Sequence, residues 1–61
     1  MITYKKDDRV IFSTLKGTVK TGSIVDVDTR QIQDEYEDFY KIILENGKIH
    51  FVDTHHIISK L

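Results

Sequence analysis

The chain has 61 residues, 39% hydrophobic and 31% charged, with a net charge of −1. That is enough for one small domain, too short for two, and too hydrophobic and too evenly charged for a disordered chain. It contains no cysteine, which removes disulfides and thiolate zinc sites as staples and favours the cytoplasm. No apolar run approaches the roughly 20 residues of a membrane span, and the opening Met-Ile-Thr-Tyr-Lys-Lys lacks the apolar stretch of a signal peptide.

Apolar residues nowhere recur at three and four over the length a helix needs, whereas β-branched and aromatic residues come in short runs between turn signals. The expectation is an all-β chain. A first strand runs from Arg9 to Thr14, with Val10 and Phe12 on one face and Ile11 and Ser13 on the other, and a turn follows at Leu15-Lys16-Gly17. The second run, Thr18 to Asp28, is too long to lie flat, and Gly22 offers a place to bend or bulge. Beyond it Ile24 and Asp26 alternate with Val25 and Val27. Residues 29–38 form a connection of about ten residues, longer than a hairpin needs. A third strand from Phe39 to Glu45 joins a fourth, Lys48 to Val52, through Asn46-Gly47, a pair suited to a type I′ turn with positive φ at both positions. Asp53-Thr54-His55-His56 reads as a short turn with the aspartate capping the backbone, and Ile57 to Leu61 as a fifth strand. The core expected from these faces comprises Val10, Phe12, Ile24, Val27, Ile42, Leu44, Ile49, Phe51 and Ile57.

Charge is unevenly spread along this order. In residues 1–22, Lys5, Lys6, Arg9, Lys16 and Lys20 outweigh Asp7 and Asp8 by three. In residues 23–45, Asp26, Asp28, Asp34, Glu35, Glu37, Asp38 and Glu45 outweigh Arg30 and Lys41 by five. The field of the domain is therefore dipolar rather than uniformly basic.

Five short strands in about 60 residues suit a partly closed barrel. Lys6-Asp7-Asp8-Arg9-Val10, then Gly17 through Val27, then Tyr40-Lys41-Ile42-Ile43-Leu44-Glu45-Asn46-Gly47 resemble a small SH3-like barrel of the Tudor and KOW kind. Those families open with a D-x-V strand, place a G-x-I/V segment on a bent second strand, and end the next strand in an acidic-Gly or Asn-Gly turn. The resemblance covers most of the chain and implies one SH3-like barrel over residues 1–61. It implies a non-enzymatic interaction module, of a kind common among small bacterial and phage proteins. Tudor domains hold methylated cations in an aromatic cage; this chain has no tryptophan and offers Tyr4, Tyr36, Phe39 and Tyr40.

Three groups of residues are candidates for function. Asp34, Glu35, Tyr36, Glu37 and Asp38, with Tyr40 close by, set carboxylates beside aromatic rings, a combination that attracts lysine or arginine from a protein or peptide partner; a plain solvated loop accounts for the same residues. Lys5, Lys6, Arg9, Lys16 and Lys20 form an alternative surface for nucleic acid of the KOW kind, or a solvated edge. A third reading is a structural subunit. His50, His55 and His56 with Asp53 invite a metal, but adjacent histidines point apart and no site is expected. Ser13, Ser23 and Ser59 have no activating context, three glycines make no phosphate loop, and no cofactor or catalytic residue is expected.

Overall fold

The computed structural model describes residues 4–61; Met1 to Thr3, part of the N-terminal stretch read above against a signal peptide, lie outside the described residues. Five strands form one antiparallel sheet: β1 (Arg9–Ser13), β2 (Val19–Ile32), β3 (Glu35–Ile43), β4 (Ile49–Asp53) and β5 (Ile57–Lys60). A three-residue 3₁₀ turn, Thr54–His56, connects β4 to β5. The order across the sheet is β4-β3-β2-β1-β5, so the last strand returns to the first, and β4 and β5 remain its two edges among the described residues. Among the described residues no helix is long and apolar enough to cross a membrane.

A single sheet has no second layer to cover its apolar face, so it must curl around its own side chains. Val10, Phe12, Ile24, Tyr40, Ile42, Val52 and Ile57, drawn from all five strands, make one buried cluster, with Tyr4, Val27 and Leu44 packed against it. β2 is the element that curls. Fourteen residues at roughly 3.3 Å each would reach about 43 Å if straight, more than the molecule's longest dimension of 36 Å. Its first part pairs with β1, from Val19↔Ser13 to Ser23↔Arg9. Its later part pairs with β3, from Ser23↔Ile43 to Ile32↔Glu35.

Two features of β2 permit this transfer. Gly22 keeps regular register with Val10 and is not a bulge. Its role is close approach, since a Cβ there would lie 2.5 Å from Ile42 Cγ2 and 2.7 Å from the Ile43 carbonyl oxygen. The irregularity falls between Ile24 and Asp26, where the extra residue Val25 reverses the inside-outside alternation. That is why Ile24 and Val27, three apart, both reach the core. The turn before β1 fastens the same place: the Asp7 N–H donates to the Ile24 carbonyl at 2.8 Å and the Ile24 N–H to the Asp8 carbonyl at 2.9 Å.

Several sequence expectations are corrected. Ile49 and Phe51 are exposed, because β4 meets β3 in the register Tyr40↔Val52 and Ile42↔His50, which turns Val52 inward and places the His50 ring 5.6 Å from Phe12. The Asn46-Gly47 turn is not type I′: Gly47 has φ +85° while Asn46 is not among the positive-φ residues. The Leu44 N–H donates to the Lys48 carbonyl and the Gly47 N–H to the Leu44 carbonyl, both at 2.9 Å, which makes a three-residue loop closed by a left-handed glycine. Thr14-Leu15-Lys16-Gly17-Thr18 repeats the construction, with Gly17 at φ +86°. The ten-residue connection at 29–38 does not exist. β2 and β3 continue through it as a hairpin whose turn is Gln33-Asp34 alone, with Gln33 at φ +57°.

Gly22→Ala is expected to destabilise by about 1 to 3 kcal/mol, because the backbone carbonyl of Ile43 cannot swing away as a side-chain tip could; urea denaturation measures it, and an unchanged midpoint would mean β2 and β3 do not meet this closely. Tyr40→Ala is expected to cost about 3 to 5 kcal/mol by the same measurement, while exposed Tyr36→Ala stays within about 0.5 kcal/mol.

Candidate functional site

Chain direction sets the geography of the surface. β2 ends and β3 begins at Gln33-Asp34, so this turn lies at one end of the molecule, and the turns at Thr14–Thr18 and Leu44–Lys48 lie at the other. Past the Asp28↔Phe39 pair, which Asp53 of β4 still flanks, the β2–β3 ribbon has no third strand beside it and projects as a two-stranded arm. Its acidic residues are Asp28, Asp34, Glu35, Glu37 and Asp38, with Arg30 the one cation.

The arm's pairing divides the residues that the sequence groups together. Strand alternation puts Glu35, Glu37 and Phe39 on one face with Arg30 and Ile32, and Tyr36, Asp38 and Tyr40 on the other with Thr29 and Gln31. Tyr40 is fully buried and is removed from the candidate surface: Val52, its partner across the β3–β4 ladder, faces inward with it. Its hydroxyl has no hydrogen-bond partner among the described residues. Tyr4 packs edge-on against it at 5.8 Å, and Phe39 lies under the Arg30 guanidinium at 5.4 Å. Tyr36, 74% exposed, is thus the one aromatic at the tip, and no aromatic cage assembles among the described residues.

At the tip, Ile32, Asp34, Glu35, Tyr36, Glu37 and His55 line an open depression. Two cross-strand contacts hold the arm, the Thr29 hydroxyl donating to Asp38 at 2.6 Å and the Arg30 guanidinium covering Phe39, and within β2 the Arg30 Nε donates to Asp28 at 2.9 Å. Exposed contacts of this kind are worth a few tenths to about 1 kcal/mol each, enough to bias the ribbon's shape and too little to bury it.

The five basic candidates do not form one surface. Lys5 and Lys6 belong to the turn before β1, where the Lys5 N–H donates to Asp8 Oδ2 at 2.9 Å. That bond holds the Asp8 carboxyl below the ordinary aspartate range, assisted by Lys60 and opposed by partial burial. Arg9 lies with Lys20 in a depression that Thr21, Leu44 and the carboxylate-bearing Glu45 also line. Lys16 and Lys20 come together in a groove between the two hairpin turns, where they meet Lys48 and His50. The sequence reading missed Lys48 because 28 to 32 residues separate it from the other two, and only the β1–β2–β3–β4 pairing brings the turns side by side.

The three histidines occupy three settings. His50 faces Phe12. His55 Nδ1 lies 3.6 Å from Glu37 Oε1. His56 Nδ1 lies 2.7 Å from Asp53 Oδ1, which also accepts the His56 N–H at 3.2 Å and so caps the 3₁₀ turn as expected. Glu37, Asp53 and His55 converge with one ligand atom each within 4.8 Å, a grouping made by the register Phe39↔Asp53 and marked by no spacing in the sequence. The hydrogen bond from the His56 side chain holds the Asp53 carboxyl below the ordinary aspartate range against the opposing effect of burial.

Comparison with protein-family models, curated proteins and solved structures finds no match to this chain.

Because Asp53 has a lower pKa folded than unfolded, its contribution is complete above the unfolded value and is lost as pH falls through the folded one. Asp53→Ala is therefore expected to cost about 1 kcal/mol at pH 7, as loss of a cap does, and the gap from wild type should narrow below about pH 3.9. Urea denaturation at pH 7 and at acid pH measures both; a gap independent of pH would mean the carboxylate's charge has no part in holding the turn.

Proposed function

We propose that this chain is an SH3-like barrel of the Tudor and KOW kind that works as a non-enzymatic interaction module in the cytoplasm, with the acidic β2–β3 arm binding a protein or peptide through its lysine or arginine side chains. The fold part of the reading is supported by the sheet order β4-β3-β2-β1-β5, the return of β5 to β1, the 3₁₀ turn before β5 and the curled second strand. The functional part rests on one observation: the arm projects past the core and ends in an exposed tyrosine and isoleucine among carboxylates. Carboxylates steer a cation toward the tip, and Tyr36 offers it a ring face and an apolar contact.

Correcting the ten-residue loop to a hairpin changes the mechanism without removing it. A loop would have to be ordered on binding, at a cost of roughly 1 to 2 kcal/mol per residue, whereas a paired ribbon presents Glu35, Tyr36 and Glu37 at spacings already set by the ladder. The alternative, a KOW-type nucleic-acid adapter, retains Lys16 and Lys20 in one groove and Arg9 in the next depression beside Lys20 and Glu45, while Lys5 and Lys6 belong to the turn before β1.

The test is binding kinetics with a panel of short peptides containing lysine and arginine. Asp34→Asn, Glu35→Gln, Glu37→Gln and Asp38→Asn together should slow association about tenfold and flatten its salt dependence, and Tyr36→Ala should speed dissociation. Binding that survives both changes and is lost on replacing Lys16 and Lys20 would assign the partner surface to the groove instead.

A further inference from the structure

The β2–β3 ladder stops at Ser23↔Ile43, and beyond it the two hairpins that close at Thr14–Thr18 and Leu44–Lys48 separate. The gap between them is the groove that gathers Lys16 and Lys20 with Lys48. Leu44 and Val52 lie along it, and two apolar side chains stand out beside it, Leu15 at 92% and Phe51 at 66% exposure. No carboxylate lines the groove, and none of the three lysines has an ion-pair partner among the described residues. In a chain whose acids outnumber its lysines and arginines by one, three unpaired lysines around apolar side chains mark a surface built to meet an acidic, partly apolar partner.

The chain itself carries a surface of that description at its other end. At the arm's tip exposed Ile32 shares a face with Glu35 and Glu37, exposed Tyr36 stands on the opposite face, and Asp34 sits in the turn between the strands. We propose that the tip of the acidic arm of one copy seats in the basic groove of another, so that the protein associates with itself through two unlike surfaces. The inference rests on the arm being the binding element and names its partner. Each half of the match is specific: carboxylates of the tip meet the ammonium groups of the groove, and Ile32 and Tyr36, on opposite faces of the ribbon, meet the apolar side chains Leu15 and Phe51 that the two hairpins bring to the groove. A phosphate backbone would meet only the lysines. Three neutralised phosphates give weak binding at physiological salt, and the polyanion would also be repelled by the segment in which acids exceed bases by five. The contact is small, since a hairpin tip enters a shallow groove, and belongs with weak, transient interfaces.

Sedimentation equilibrium from about 10 µM to about 1 mM suits an interface of that size. At low salt the weight-average mass should rise above the 7.2 kDa of the monomer with concentration, and the rise should shrink at about 500 mM salt, where exposed charges are screened within a few ångströms. A groove variant (Lys16→Gln, Lys20→Gln, Lys48→Gln) and an arm variant (Asp34→Asn, Glu35→Gln, Tyr36→Ala, Glu37→Gln) should each stay monomeric, since each lacks one of the two surfaces. Mixed in equal amounts they retain one intact contact per pair, and the mass should rise again toward twice the monomer's. Thermal melts of both variants check that they fold; should the arm variant unfold, a labelled groove variant, monomeric alone, should still co-sediment with added wild-type chain, because its intact arm can seat in the wild-type groove. The proposal is overturned if the wild-type chain stays monomeric to about 1 mM, if both variants associate like wild type, or if the mixture remains monomeric. Wild type that stays monomeric while its arm binds the lysine and arginine peptides would remove only the self-association; failure of the peptides as well would remove the arm reading with it. A single-stranded oligonucleotide that binds wild type and is lost in the groove variant, with no self-association, would give the groove to nucleic acid.

Discussion

The structure depends on β2 changing partners in mid-strand. A 61-residue chain folded as a single sheet has no second layer, so its apolar face can be hidden only by bending, and the bend has to occur where a strand leaves one neighbour for the next. Ser23 is the residue paired on both sides, with Arg9 of β1 and Ile43 of β3. Around it are the devices that make the transfer possible: a glycine where any Cβ would collide with β3, a bulge at Val25 that reverses the side-chain alternation, and two backbone hydrogen bonds that tie Ile24 to the turn before β1. Five fully buried side chains, Val10, Phe12, Ile24, Tyr40 and Ile42, come from the three strands that meet there.

Both surfaces of functional interest follow from that transfer. Above Ser23, β2 belongs to β1 and the end of β3 is released, so the two turns diverge and the groove opens. Below Val27, β2 belongs to β3 alone, and the ribbon leaves the sheet with its tip in solvent and its base against Asp53 and the 3₁₀ turn, where His55 approaches Glu37. A two-stranded ribbon without a packing layer cannot carry many apolar residues, and this one is accordingly polar, held by Thr29–Asp38, Arg30–Asp28 and the Arg30–Phe39 stack. The opposite charges of groove and arm therefore sit at the two ends of one long strand.

The free edges are managed by short elements rather than by closure. β5 has four residues and a register shift beside Ile11 and Phe12 that leaves Ile58 out of the ladder. β4 ends in Asp53, which turns the chain by capping the 3₁₀ turn through His56. With no proline in the chain, short length and irregular register are what discourage another strand from pairing onto these edges.

Much of this was legible in the residues. The strand content, the alternation in β1, the hairpin at Asn46-Gly47, the Asp53 cap and five of the seven buried core residues follow from periodicity and turn chemistry, which act over a few neighbouring residues and so leave a local mark. The charge separation was legible too. The arm was not, because Gln33-Asp34 has neither the glycine nor the asparagine by which tight hairpins announce themselves, and a ribbon with no buried face has no apolar alternation to betray it. Nor was the inward turn of β4, since Ile49 and Phe51 are as apolar as His50 and Val52 are mixed, and only pairing with Tyr40 and Ile42 selects the face. The residue types by themselves determined that this chain is a small antiparallel β-domain with an acidic middle. Tertiary pairing alone decided that Tyr40 is core, that Lys48 joins Lys16 and Lys20, and that the acidic run stands out as an arm, because each of these depends on which strand lies next to which and in what register.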